Sequence, residues 1–200
     1  MTVYKLIYFD IAGRGEVPRL VLAQSGLQWE DYRIKKDEWP ELKKKMPFGQ
    51  VPALEFDGTI LAQGNAISRF IARKGGLVGE TELESAQCDM WVDYCMDLAM
   101  LYIKWKYGKE EEKPELGKKL FEEFLPNFMK KTSGQINANG GWLVGKKITW
   151  ADLTLFHFME LMALQKPDVL EGQDELNAFH TRVKSQQPLS EYLGKRGPLQ

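Results

Sequence analysis

The pattern of apolar residues changes once along this chain, near residue 80, and that change constrains the fold more than any single residue does. Before it, strand and helix signals alternate. Val3-Tyr4-Lys5-Leu6-Ile7-Tyr8-Phe9 reads as a strand, and an amphipathic helix is expected from about Gly15 to Ser25. Pro18 suits the first turn of that helix, where its missing N–H is not needed, and Gly26 suits its end. A short strand around Tyr32-Arg33-Ile34 then completes a βαβ unit with a parallel pair. Val51-Pro52-Ala53-Leu54-Glu55-Phe56 and Thr59-Ile60-Leu61-Ala62 flank Asp57-Gly58, a turn pair that matches the twist of a hairpin. A helix from about Asn65 to Lys74 closes at Gly75-Gly76.

After residue 82 the strand signal vanishes. Apolar residues recur at helical spacing through Leu83, Ala86, Met90, Tyr94, Leu98 and Leu101. Lys106 to Glu115, charged and carrying Gly108 and Pro114, reads as a loop, and Asn137 to Gly141 as a second. Thr149-Trp150-Ala151-Asp152 is a capping box ahead of a helix expected to reach about Leu164. The expected fold class is therefore α/β plus all-α. A βαβ–ββα domain with one mixed sheet spans residues 1–76, a linker 77–81, and an all-helical domain 82–200.

Composition excludes several functions. A chain of 200 residues with 44% hydrophobic residues can fill one large or two modest cores. Charged residues of both signs and a net charge of −1 give no reason to expect nucleic acid or an acidic membrane as partner. The N-terminus lacks a cationic start followed by an apolar stretch, and no run approaches the ~18 apolar residues of a membrane span, so a soluble cytoplasmic protein is expected. Cys88 and Cys95 lie seven residues apart in one expected helix, which puts their Cα atoms ~10 Å apart, too far for a disulfide. They form no Cys-x-x-Cys pair, and His157 and His180 have no neighbouring ligand types, so no metal site is expected.

Two positions carry chemistry. Tyr8 closes the first strand, five residues before Gly13-Arg14-Gly15-Glu16. It is either a half-buried packing residue or a phenol whose O–H donates to a bound thiolate, with Arg14 adding positive potential. Val51–Pro52 is either an ordinary trans bond at a strand start or a cis bond that turns the chain and offers the main chain of Val51 to an extended peptide.

Tyr-Lys-Leu-x-Tyr-Phe-x-x-x-Gly-Arg-Gly-Glu at 4–16, Asp-Glu-Trp-Pro at 37–40, Pro-Phe-Gly-Gln-Val-Pro at 47–52, Gln63 before a helix and Ile-Thr-Trp-Ala-Asp at 148–152 occur in order along the chain. In these it resembles the cytosolic glutathione transferases. The sigma class, related to the glutathione-dependent prostaglandin D synthases, is the best class match. The resemblance implies a thioredoxin-like first domain that binds glutathione as cosubstrate, with no cofactor. It also implies a helical second domain lining a pocket for a small hydrophobic electrophile, and a homodimer. The expected activity is conjugation of glutathione to such electrophiles, a detoxification reaction. On matching positions, Tyr8 is the catalytic phenol, supported by Arg14. Trp39 and Lys43 hold the glycyl carboxylate, Gln50, Val51 and Pro52 take the peptide part, and Gln63 and Gly64 take the γ-glutamyl carboxylate at a helix N-terminus. The implied electrophile pocket draws on Ile11, Arg14, Met96, Met100, Lys104, Thr154 and Phe158.

Where the family usually has Gln-Ser, this chain has Gln63-Gly64, which keeps the backbone N–H and loses a hydroxyl. A lost hydrogen bond to a charged group is worth ~1.5–3 kcal/mol, so weakened glutathione binding is expected. Asp93 and Asp97 share one helix face. The resemblance assigns Asp97 to the γ-glutamyl ammonium of the other subunit, and two aspartates are too few oxygen ligands for a shared divalent ion. Two alternatives stand beside conjugation: isomerisation of prostaglandin H2 to D2, from whose vertebrate enzyme this chain departs in carrying Trp105 one place later than an aromatic in the region of Lys104, and a non-catalytic crystallin-like or ligand-carrier role.

Overall fold

The computed structural model describes residues 2–196 and 199 of the chain. They divide into two compact units, Met1–Val78 together with Lys184–Gln200, and Gly79–Val183.

The first unit is built on a four-stranded sheet. β1 (Tyr4–Phe9) is followed by a short 3-10 turn at Gly13–Gly15 and by α1 (Glu16–Ser25), whose end is Gly26 at φ 71°, a left-handed conformation that costs a glycine nothing. Next come β2 (Trp29–Ile34), α2 (Trp39–Lys45), β3 (Ala53–Phe56), β4 (Thr59–Ala62) and α3 (Gly64–Lys74). The strand order is β2-β1-β3-β4, with β1 parallel to β2 and antiparallel to β3, and β3 antiparallel to β4. This is the mixed βαβ–ββα sheet the alternating pattern predicts.

Alternation along β1 sorts its side chains onto two faces. Ile7, with Ile34, Met46 and Ala53, packs against Phe9, Trp39, Leu42 and Val51 and so meets α2. Tyr4 lies on the opposite face, its ring 6.4 Å from Phe70 of α3. Leu6 and Tyr8 share that face by the same period. Leu20, Val21, Ile67 and Ile71 bury it from α1 and α3, each such side chain contributing about 1.5–3 kcal/mol of transfer free energy.

Sequence reasoning did not find α2, because none of its residues is fully buried and its surface is mostly charged. The signals were present: Pro40 in the first turn, Glu41 early, Lys43 to Lys45 late, and Trp39, Leu42 and Met46 on one helical stripe.

The second unit contains α4 (Glu82–Tyr107), α5 (Lys113–Gly117), a π-helical stretch over Lys118–Phe124, α6 (Leu125–Ala138), α7 (Trp150–Gln165) and α8 (Asp174–Lys184), the last of these ending at the unit boundary. α7 is apolar on all sides and every residue from Trp150 to Met159 is buried, as befits a central core helix. Asp152 anchors its start: Oδ2 accepts from the Thr149 N–H at 2.8 Å and from its hydroxyl at 2.7 Å, and Oδ1 accepts from the Leu143 N–H at 2.9 Å. Both the helix and its reach-back from Asp152 were expected.

One expectation needs correction, and two further features of the helices were not anticipated. The residues of α4 that bury are Cys88, Val92, Cys95 and Leu98, while Leu83, Ala86 and Met90 are exposed. The helix carries two apolar stripes, and the smaller residues face the core. The segment 106–115 is not one loop, since α4 runs to Tyr107 and α5 starts at Lys113; Pro114, taken as a breaker, sits in the first turn, where no N–H is needed. Finally, α9 (Leu189–Arg196) groups with the first unit. Leu189 and Leu193 are buried there, and the Tyr192 ring lies 6.0 Å from that of Trp29.

Candidate active site

Tyr8 sits at the penultimate position of β1 and is 7% exposed. Its hydroxyl accepts a hydrogen bond from the Arg14 backbone N–H at 3.0 Å. An accepted bond leaves the phenolic proton free to be donated outward, which is the arrangement a thiolate acceptor needs. The support sequence reasoning expected from the Arg14 guanidinium is thus supplied by its main chain. A different cation lies over the ring: the guanidinium carbon of the fully buried Arg19 is 5.6 Å from the Tyr8 ring centroid.

The turn is shaped around the phenol. A Cβ on Gly13, itself at φ 41°, would come within 2.6 Å of the Tyr8 hydroxyl oxygen, and one on Gly15 would overlap the ring outright. Neither glycine was singled out from the sequence as making room for Tyr8, although the Gly-x-Gly spacing was visible.

Pro52 and Gly64, two other predicted ligand positions of this unit, lie against the same turn. Pro52 is buried and its bond to Val51 is cis, the second of the two readings. A Cβ on Gly64 would stand 3.3 Å from the Arg14 carbonyl oxygen and 3.6 Å from Pro52 Cγ, so the start of α3 packs directly on the Arg14 turn and on Pro52. Ahead of it, Gln63 has φ 75°, a conformation side chains rarely adopt, and its carbonyl accepts from the Ile67 N–H at 2.9 Å. The first N–H groups of α3 precede any intrahelical bond and carry the positive end of the helix dipole. An anion is favoured there.

Trp39 stands edge-on to Phe9 with ring centroids 5.3 Å apart, next to Tyr8 in sequence. Lys43, one turn on, is exposed, and its stem passes the spot a Gly49 Cβ would fill at 3.5 Å, beside the exposed Gln50. Tyr8, Arg14, Trp39, Lys43, Gln50, Val51, Pro52, Gln63 and Gly64 therefore all belong to one compact unit. It presents a phenol, exposed cation and amide groups, and a helix N-terminus, a set suited to a small ligand bearing a thiol and carboxylates.

Ile11 is half exposed beyond β1, and its carbonyl accepts from Arg19 at 2.7 Å. In the second unit Met96, Met100 and Lys104 fall at helical spacing on one face of α4, Met100 being 54% exposed and Lys104 exposed. Thr154 and Phe158 are buried, the Thr154 hydroxyl donating to the Trp150 carbonyl at 2.7 Å. Asp93 and Asp97 are exposed on α4. Cys88 and Cys95 are buried free thiols, and burial pushes Cys88 up to about 12, so it is no nucleophile near neutral pH. Among the described residues no group of three or more His, Cys, Asp or Glu could hold a metal, and no helix is long and apolar enough to cross a membrane.

The chain is similar to known proteins over nearly its whole length. Residues 4–73 match the family described as "Glutathione S-transferase, N-terminal domain", and residues 96–196 match "Glutathione S-transferase, C-terminal domain". The chain is 36% identical to glutathione S-transferase 1 of Ascaris suum, over 98% of each chain. Among solved structures, prostaglandin synthase D of Nilaparvata lugens superposes with a TM-score of 0.88 at 33% identity, over 98% of each chain. A hookworm glutathione S-transferase from Necator americanus, described as monomeric, gives 0.85 at 33% identity, over 97% of each.

Proposed function

The chain belongs to the glutathione S-transferase family, and we propose that within it Tyr8 is the phenol that stabilises the glutathione thiolate. As a member it is an enzyme that conjugates glutathione, its cosubstrate, to hydrophobic electrophiles. The observation that carries the assignment of Tyr8 is the 3.0 Å bond from the Arg14 N–H to its hydroxyl. That bond orients the phenol and leaves its proton to donate to sulfur.

In the proposed step the thiol of bound glutathione gives its proton to solvent, and the Tyr8 O–H donates to the resulting thiolate. This lowers the thiol pKa below the ~8.5 of an unperturbed cysteine. Sulfur then attacks the electrophilic carbon, forming a C–S bond as the leaving group departs with its electron pair. Trp39 and Lys43 hold the glycyl carboxylate, Gln50, Val51 and Pro52 the peptide, and Gln63 with Gly64 the γ-glutamyl carboxylate. Met96, Met100, Lys104, Thr154 and Phe158 are assigned to the electrophile pocket, Thr154 and Phe158 being buried.

We assign the chain to the sigma class, as a cytoplasmic detoxification enzyme and homodimer in which Asp97 meets the γ-glutamyl ammonium of glutathione bound to the other subunit. Leu83 and Met90 support a dimer: they lie two turns apart on one face of α4 and are 69% and 55% exposed. Likeness to the prostaglandin synthase of Nilaparvata lugens favours one second reading, isomerisation of prostaglandin H2.

The test is conjugation of glutathione to a chloronitrobenzene. Wild type should turn over, and Tyr8→Phe should lose about a hundredfold in kcat with little change in glutathione affinity. Unchanged turnover removes Tyr8 from the mechanism. Incubation with the endoperoxide decides the second reading.

A further inference from the structure

Six charged side chains of alternating sign run in series through the first unit. On α9, Arg196 donates to Glu16 Oε1 at 2.7 Å, and Glu16 Oε2 lies 3.7 Å from Arg19 Nη1. Arg19 Nε donates to Asp31 Oδ1 at 3.0 Å, Arg33 meets Asp31 Oδ2 at 2.9 Å, and Arg33 pairs in turn with Asp10. Tyr192, also on α9, stands 3.3 Å from both Glu16 oxygens. The Arg19 and Glu16 side chains are 0% and 2% exposed, and that of Arg196 is 9%.

Burying ions is expensive, and hydrophobic residues of the same volume would serve stability as well or better. What this series holds is the chain that follows the active phenol. The two terminal nitrogens of Arg19 donate to the Phe9 carbonyl at 2.9 Å and the Ile11 carbonyl at 2.7 Å, while its guanidinium lies over the Tyr8 ring. Glu16 follows Gly15 directly and opens α1. The segment 9–16, which carries the Arg14 N–H to the Tyr8 hydroxyl, is thus gripped by Arg19 at one end and by α9 at the other.

We propose that Arg196, at the end of the C-terminal helix, is a positioning residue for the Tyr8 phenol, acting through Glu16 and Arg19. Without it, Glu16 keeps a hydroxyl and a guanidinium at 3.7 Å as partners, and Arg19 must turn toward the buried carboxylate to neutralise it. That movement draws donors away from the Phe9 and Ile11 carbonyls and loosens the bond from Arg14 to Tyr8. The inference rests on Tyr8 being the group that stabilises the thiolate.

The experiment compares Arg196→Met, Arg196→Lys, the surface control Lys195→Met and Tyr8→Phe in the full chain. Chloronitrobenzene conjugation is followed as a function of pH, and glutathione affinity is measured by calorimetry. Arg196→Met should lower kcat on the order of tenfold and move the pH profile of kcat/KM upward, with glutathione affinity changed less than about twofold. Arg196→Lys should recover most of both, and Lys195→Met should match wild type. An unchanged profile in Arg196→Met, or a loss that Lys195→Met shares, overturns the proposal. Should Arg196→Met fail to fold, Arg196→Gln, which keeps a donor to Glu16 without the charge, decides: it must shift the profile upward, and a wild-type profile overturns the proposal. If Tyr8→Phe leaves rate and profile intact, it is the reading of Tyr8 that falls.

Discussion

Gly15 lies so close against the Tyr8 ring that a single methyl group on its α-carbon would overlap the ring carbons. Backbone conformation does not demand glycine there, because the φ of Gly15 is −87°. Space does. Gly15→Ala should therefore displace the phenol from the Arg14 N–H and lower kcat by an order of magnitude or more, as about 1 Å of misplacement can. Glutathione affinity should change far less. Chloronitrobenzene kinetics beside a binding isotherm test this, and wild-type kcat would show that the ring has room to yield.

Gly64 invites a direct test of the missing hydroxyl, but serine there carries a cost. Its Cβ would sit 3.3 Å from the Arg14 carbonyl, so the turn that holds Tyr8 must shift by a few tenths of an ångström. Gly64→Ala isolates that cost. Gly64→Ser should then bind glutathione about tenfold more tightly than Gly64→Ala, the worth of a hydrogen bond to a carboxylate. Equal dissociation constants for the two would mean that a hydroxyl at this position does not reach the ligand.

Asp152, fully buried, satisfies three donors, two backbone N–H groups among them. Asp152→Ala strands those donors and should cost about 3 kcal/mol or more, lowering the melting temperature by roughly 6–12 °C. Thermal unfolding followed by circular dichroism measures it.

The same carboxyl sets a pH dependence. Burial outweighs its hydrogen bonds and pushes its pKa up to about 6. The folded state then holds the proton more tightly than the unfolded chain, whose aspartate titrates near ~3.9. The contribution of this group is fully present below pH ~4 and is lost as pH rises through about 6, amounting to roughly 3 kcal/mol. Denaturant unfolding of wild type and Asp152→Asn at pH 4 and pH 7 should show the difference between them shrink by that amount. A constant difference would mean that the carboxyl titrates normally.

The exposed stripe of α4 bears on assembly. Wild type should sediment at twice the 23.0 kDa chain mass, and Leu83→Glu with Met90→Glu should return it to once that mass. A wild-type monomer, as described for the Necator americanus relative, would remove the dimer and with it the assignment of Asp97.

Much of this was legible in the chain itself. Period-two and period-3.6 patterns depend on local chemistry, so β1, α1, the Asp57-Gly58 hairpin, α3 and α7 stand where those patterns put them. The order of motifs around Tyr8, Val51-Pro52 and Gln63 was sufficient for the family, because residue type and spacing are what a ligand site shares across relatives. Where the chain was misread, the cause was packing. The polar α2 owes its existence to one stripe against the sheet. The two apolar stripes of α4 are equivalent until α7 buries one of them.

The sequence by itself determined most of the elements and named the chemical groups of the candidate site, since both follow from residues near one another in the chain. Only the tertiary structure decided how those groups work together. Arg14 acts on Tyr8 through its main chain, Gly15 clears the space for the ring, and the cation over that ring is Arg19. The carboxylate of Glu16 is held by Arg196, 180 residues away. No local pattern encodes a contact of that span; it exists because the fold brings α9 against α1, and because a buried charge must find its partner wherever the fold supplies one.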